Sequence, residues 1–461
     1  MIAMGGLWQP NIRVASARAS RQAVGPVPEF RHLRARKSQG VGMFIKKLWV
    51  GCVAVALIAA LAACGAKEEP TEADAADATD PSDSADAADS ADASDAADTS
   101  DTSDAADATD PSNSSDPQDP CADAVVDASY HAWPGDDWES TCPEVQNIDS
   151  AKLQGVYDYA FAPGRNTQSV VIIRNGAIVA EWYAEGKTKD DDVTSWSVAK
   201  SFLSAVVGIA VERGDLPSID ESLSLYIPEF QGTDKEPITF RHALQMRSGL
   251  VEHTPDNIYF QLDQLAWGIE RDVAEFPGGT WAYQNGDSML ISHASEAAIG
   301  EPFMDYADEV LFEPLGIDSH KWWTDSVGNR LGYCCIDATA RDFARLGILF
   351  GRGGDWNGTQ VVPGAWVTES TTPVGADMPY GMHWWAFENG AYFAALGALN
   401  QSIWVFPYFD LVVLRNGLYE KMGDEYRMYG GSYHNTEEAI DWDDTIFLAP
   451  LFEAINDNPF N

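Results

Sequence analysis

Residues 168–184, QSVVIIRNGAIVAEWYA, place Val, Ile and aromatic residues on both sides of Asn175-Gly176. Two apolar runs split by such a pair predict a β-hairpin, because Asn and Gly both tolerate the left-handed turn conformation. The next run, Thr194–Gly214, reads TSWSVAKSFLSAVVGIAVERG, and its apolar residues from Val198 to Val211 cover most of a helical circumference. It predicts a helix that Ser or Thr can cap and Gly214 can end, and a helix apolar nearly all round is buried. Between 215 and 350, ITFRHALQMRSG, DSMLISHASEAAIG and ATARDFARLGILFGRGG alternate with Gly and Pro, which predicts a mainly helical subdomain. YGMHWWAF, SIWVFP and DLVVLRNG then read as short strands, and TIFLAPLFEAI as a closing helix. The expected fold class is α/β (α+β): an antiparallel sheet from the N-terminal hairpin and C-terminal strands, flanked by helices, with a mainly helical second subdomain. The cleft between them is the expected site.

Hydropathy breaks down before residue 121. Residues 44–64, FIKKLWVGCVAVALIAALAAC, put two lysines ahead of an apolar run that ends on Leu61, Ala62, Ala63 and Cys64. This resembles a bacterial lipoprotein signal peptide, in which Cys64 would carry the lipid. The run is short for a membrane-spanning helix. Gly65 in place of Asp favours the outer membrane over the inner one. Met43 is the expected start, so that residues 43–64 are the signal and 1–42 an upstream extension. From 65 to 120 the chain is an Asp/Ala/Ser-rich run with fifteen Asp and three Glu against Lys67 alone. Such a composition buries no core and is expected to be a disordered tether. The folded domain is then 121–461.

Charge narrows the partners. The 461 residues hold 71 Asp plus Glu against 29 Lys plus Arg, a formal net charge of −42. No basic stripe follows the first fifty residues, which excludes nucleic acid as a partner. Charges before Cys64 sum to +8 and the tether to −17, leaving −33 on the folded part; long-range repulsion there disfavours anionic substrates. Of the six cysteines, Cys121 and Cys142 flank a short Trp-rich segment and would suit a disulfide in an oxidising compartment. The adjacent Cys334 and Cys335 admit either a strained vicinal disulfide or two thiols. No cysteine stands at zinc-ligand spacing with histidine, so no metal is expected.

Ser197-Val198-Ala199-Lys200 places a hydroxyl and an amine three residues apart at the start of the buried helix. On one helical face the amine can take the serine proton. Among eleven lysines only Lys200 has serine three positions before it, and an amine on so apolar a helix needs a partner or a task. Tyr283-Gln284-Asn285 follows inside PGGTWAYQNGDSMLI. Together with ITFRHALQMRSGL, ATARDFARLGILFGRGGDWNG and YGMHWW, these runs resemble the serine β-lactamase and penicillin-binding-protein superfamily, over roughly residues 150–455. The nearest subset is class C-like: esterases, D-aminopeptidases and 6-aminohexanoate-oligomer hydrolases.

That resemblance implies Ser197 as the acylated nucleophile, Lys200 as its base partner and Tyr283 as general acid/base, with Asn285 orienting Lys200 or the substrate. The family's third motif falls on Ala395-Leu396-Gly397, without its usual first lysine or histidine, which weakens the case for a β-lactam carboxylate. Gly397 would permit close approach, and the N–H groups of Ser197 and Ala398 would form the oxyanion hole. An ordinary lysine, with a pKa of about 10.4, has only about one amine in 2,500 neutral at pH 7. Either burial lowers that value or a charged Lys200 holds Tyr283 as a phenolate base.

Gly286-Asp287-Ser288-Met289 imitates another serine hydrolase motif but has no Asp-x-x-His near the C-terminus, and Tyr433-His434-Asn435 reads as rim or surface. His242 reads as packing or surface, and Trp384 and Trp385 as core more than groove. The expectation is an exported, membrane-anchored serine hydrolase of the cell envelope that uses no cofactor. It would act through an acyl-enzyme on a carboxylic ester, linear amide or short peptide. The alternatives are a D-amino-acid peptidase, a β-lactamase, or a catalytically silent binding module on the same fold. Oligomeric state is not legible.

Overall fold

The computed structural model describes residues 121, 123–251, 258–418 and 439–459. The extension, signal, Cys64, tether and Tyr433-His434-Asn435 lie outside them. Cys121 and Cys142 are joined at 2.00 Å. Asp149 starts helix α1 (Ser150–Ala160) by accepting from the N–H groups of Ala151 and Lys152. The expected hairpin follows as β1 (Thr167–Arg174) and β2 (Ala177–Tyr183). Asn175 and Gly176 turn it at φ 51° and 84°, and a Cβ on Gly176 would meet the Ala132 carbonyl oxygen at 2.0 Å.

The helix expected from Thr194 starts later. Asp192–Thr194 forms β3, Trp196–Val198 a single 3₁₀ turn, and α2 runs Ala199–Arg213 before Gly214 ends it at φ 80°. No side chain caps α2, because Thr194 and Ser195 pair with the strand β5 described below. Every residue from Ala199 to Ala210 is buried, as its apolar circumference requires. Short helices at Phe240–Leu244, Gln264–Glu270 and Phe303–Ala307, with the longer α3 (Asn285–Ile299), make the helical part. A small sheet joins it, in which β5 (Ile336–Thr339) lies between β3 and β4 (Lys321–Trp322).

ATARDFARLGILFGRGG folds as a helix, α4 (Ala340–Gly351), but packs on β1 and the C-terminal strands instead of standing in the helical subdomain. The hairpin β6 (Asp355–Trp356) and β7 (Thr359–Gln360) follows. YGMHWWAF gives only β8 (Trp385–Phe387), because His383 turns the chain at φ 62°. Next come β9 (Tyr392–Gly397), β10 (Gln401–Phe406) and β11 (Leu411–Gly417). The main sheet is antiparallel throughout, in the order β2-β1-β11-β10-β9-β8. Helix α5 (Asp444–Ala454) packs on α1. One hydrophobic core runs from Phe202 and Val206 on α2 through Leu290 on α3 to Phe343 on α4 and Ile403 on β10. Among the described residues no helix is long and apolar enough to cross a membrane.

Candidate active site

Pairing with β5 shapes the turn that carries Ser197. Ser195 donates its N–H to the Ile336 carbonyl at 2.7 Å, and its Oγ accepts the Ile336 N–H at 2.8 Å. Trp196 then adopts φ 46°, a left-handed conformation that costs a non-glycine residue energy and persists only where packing over-determines it. Buried against the core, Trp196 has that packing. Ser197 lies in the 3₁₀ turn, and Lys200 in the first turn of α2.

Lys200 is 2% exposed, and its acceptors include Ser197 Oγ at 3.1 Å, Asn285 Oδ1 at 2.8 Å and the Tyr333 carbonyl at 2.8 Å. As an ammonium the group donates to all three. As a neutral amine it donates to Asn285 and Tyr333, which leaves its lone pair for the proton of the Ser197 hydroxyl. The same geometry therefore serves both ends of a proton transfer. Asn285 is held in turn, donating from Nδ2 to Tyr259 Oη at 3.0 Å.

Tyr283 stands beside the amine, with Lys200 Nζ 4.8 Å from its ring centroid. Trp385 stacks on it at 6.2 Å, and Trp281 and Tyr380 complete an aromatic group. Trp384 is fully buried in the core, as expected, whereas Trp385 is only partly buried and packs within this aromatic group. Burial, then the neighbouring Tyr283 and Asp287, lifts the Tyr380 phenol well above its ordinary value. The start of α3 is anchored by a fully buried ion pair, Arg271 to Asp287 at 2.9 Å, while Arg271 also donates to Gln284 Oε1 at 2.6 Å. A Cβ on Gly286 would lie 2.5 Å from the guanidinium carbon, so this residue must be glycine for Arg271 to reach its partners.

Ser288 is buried, its Oγ 2.9 Å from His383 Nε2. His383 Nδ1 faces the Leu244 carbonyl at 2.9 Å, so Nδ1 carries the hydrogen and Nε2 accepts from Ser288. Burial and, second, the Lys200 charge push this imidazole down to about 3. His242 completes a helix cap, accepting the Thr239 N–H at Nδ1.

The third segment approaches from β9. β8 ends its pairing at Trp385 opposite Ala394, so Ala395, Leu396 and Gly397 run past it toward the serine turn. A Cβ on Gly397 would meet the Ser195 carbonyl oxygen at 2.6 Å and the Ser197 nitrogen at 3.0 Å, which only glycine avoids. Ala398 begins the following turn, where Leu399 and Asn400 are both left-handed at φ 58°. Sequence reading thus named Ser197, Lys200, Tyr283, Asn285 and Gly397, which the fold brings together. It missed Tyr259, Tyr333 and Arg271; no local pattern marks a residue that acts through its carbonyl or through a neighbour.

A family model described as Beta-lactamase matches residues 158–430. The chain belongs to the beta-lactamase family. It is a serine hydrolase of that family, with an antiparallel sheet flanked by helices. The 6-aminohexanoate-dimer hydrolase of Paenarthrobacter ureafaciens is 23% identical over 283 residues, 54% of this chain and 72% of that protein. A D-aminopeptidase of Brucella anthropi is 25% identical over 177 residues, 34% of this chain and 33% of its own length. Among solved structures, EstCE1, a hydrolase with promiscuous acyltransferase activity, superposes with a TM-score of 0.52 at 16% identity. That match covers 67% of this chain and 98% of the other.

Proposed function

We propose that this chain is an exported, membrane-anchored hydrolase that opens a carboxylic ester or linear amide through an acyl-enzyme on Ser197. The observation that carries the reading is Lys200 Nζ, 3.1 Å from Ser197 Oγ and held by two further acceptors. The Ser197 proton passes to the Lys200 amine, directly or through Tyr283, as Oγ bonds to the substrate carbonyl carbon. The carbonyl oxygen takes the negative charge and is met by the N–H groups of Ser197 and Ala398; one such donor is worth about 3 to 4 kcal/mol in the transition state. Collapse of the tetrahedral species breaks the bond to the alcohol or amine, which leaves with the proton carried by Tyr283 or Lys200. Water then repeats the sequence on the acyl-enzyme and frees Ser197. The relatives' named amide and peptide substrates support this bond class, and Ala395, which offers only a methyl group, supports an uncharged acyl side over a β-lactam.

Turnover of a short p-nitrophenyl ester by the chain and by Ser197→Ala at matched folding tests the reading. Hydrolysis should fall by about three or more orders of magnitude in the variant, leaving at most the roughly 10³- to 10⁴-fold acceleration over water that survives loss of a catalytic nucleophile. Equal rates would place the nucleophile elsewhere. Inactivity of both on esters, amides and D-peptides would favour the silent binding module.

A further inference from the structure

The segment 333–336 backs the whole nucleophile turn. The Tyr333 carbonyl accepts from Lys200 at 2.8 Å, the Cys335 N–H donates to the Trp196 carbonyl at 3.3 Å, and Ile336 holds Ser195 from both sides. Cys334 and Cys335, the two residues between the Lys200 contact and the Ser195 contact, are joined to each other as a disulfide and are fully buried. Their outward groups are also tied: the Cys334 carbonyl accepts from Trp322 Nε1 at 3.1 Å and the Cys335 carbonyl from the Trp323 N–H at 2.9 Å. Cys335 has φ 75°, a conformation that an open chain of L-residues rarely populates.

A bond between adjacent sulfurs closes a small ring through the intervening peptide, and so removes most of the backbone freedom of both residues. That freedom lies where it would move the Tyr333 carbonyl against Lys200. The amine offers its lone pair to Ser197 only while Asn285 and Tyr333 occupy its other two directions. A displacement of about 1 Å at such a contact can cost up to about 100-fold in rate.

We propose that the Cys334–Cys335 disulfide is a positioning element for Lys200, and that opening it slows acylation of Ser197 without loosening substrate binding. The proposal rests on the acyl-enzyme reading. A phosphine opens the bond by giving two electrons: it leaves as phosphine oxide with the oxygen of one water, whose two protons end on the two new thiols.

The test is the rate at which a fluorophosphonate labels Ser197, read by mass across pH, with KM for the ester alongside. It compares the full chain, Cys334→Ala/Cys335→Ala, and Cys121→Ala/Cys142→Ala. The first variant should label about tenfold or more slowly with a displaced pH profile and KM within about twofold, while the second should match the parent. Because both sulfurs are buried, the second variant is unfolded and refolded with phosphine present; it should then show two free thiols at 334 and 335, counted by alkylation after unfolding, and reproduce the slow rate. Labelling of the Cys334→Ala/Cys335→Ala variant at the parent rate and profile overturns the proposal, as does an unchanged rate in the phosphine-refolded protein with both thiols free. If the double variant does not fold, Cys334→Ser and Cys335→Ser each open the same bond and are read in the same way. A parent chain that never labels at Ser197 refutes the acyl-enzyme reading, and the proposal with it; that result is distinct from equal labelling of parent and variants.

Discussion

His383 shows how a buried neutral side chain can govern the acid limit of this protein. It faces Lys200 from α2, Ser288 from α3 and the Leu244 carbonyl from the Phe240–Leu244 helix, and it titrates at about 3 against an ordinary 6.5. Its folded value is depressed, so between those limits the unfolded chain takes up a proton that the folded chain refuses. Stability is therefore complete above about pH 6.5 and is lost as pH falls, by up to about 1.4 kcal/mol per pH unit for one such group. His383→Asn, which does not titrate and suits a left-handed φ, should be less stable at pH 7 and have a shallower decline between about pH 6.5 and 5, above the ordinary carboxylate range. Denaturant unfolding at several pH values measures both slopes, and parallel slopes would assign the acid sensitivity to other groups.

Arg415 on β11 decides how the turn after β9 meets the entry to β1. Its guanidinium is fully buried and donates to the carbonyls of Leu399 at 2.7 Å, Asn400 at 3.2 Å, Arg165 at 2.6 Å and Asn166 at 3.1 Å, and to Thr167 Oγ1. Leu399 and Asn400 belong to the same turn as Ala398, so one side chain joins sheet assembly to the mouth of the site. Arg415→Met keeps the volume and withdraws all six hydrogen bonds to these five acceptors, leaving buried acceptors without this donor. A loss of about 3 to 5 kcal/mol is expected, accompanied by a fall in turnover as the Ala398 turn loosens. Urea unfolding and ester turnover on the same preparation check this; a change within about 0.5 kcal/mol would mean that the turn holds itself.

The described residues begin at a disulfide, Cys121 to Cys142, and the sequence just before it is strongly acidic. The membrane anchor proposed above places the lipid on Cys64, ahead of this acidic run. When the full chain is expressed in a bacterium supplied with a tagged fatty acid, it should take up label and partition with membranes. Cys64→Ser should release it unlabelled. Label retained by the variant would place the acyl group on another residue, and an unlabelled parent in the soluble fraction would remove the anchor from the proposal.

Patterns of a few adjacent residues determined much on their own: the Asn175-Gly176 hairpin, the burial of α2, the apolar runs of β10 and β11, and the Ser197, Lys200 and Tyr283 motifs. Each depends on local spacing, on turn chemistry or on an amine placed among apolar neighbours, and such features are written in consecutive positions. The start of α2 was not legible, because pairing of Thr194 and Ser195 with β5, more than 140 residues later, outcompeted the cap. For the same reason α4 could not be assigned to the sheet: its apolar stripe would fit either subdomain, and contact with β1, β10 and β11 chose between them. Tyr259, Tyr333, Arg271 and the joined cysteines enter the site through a phenol, a carbonyl, an ion pair and a ring closure. None of these has a sequence period, since a hydrogen bond between distant segments is specified by where the whole chain folds and by nothing in the residues beside it.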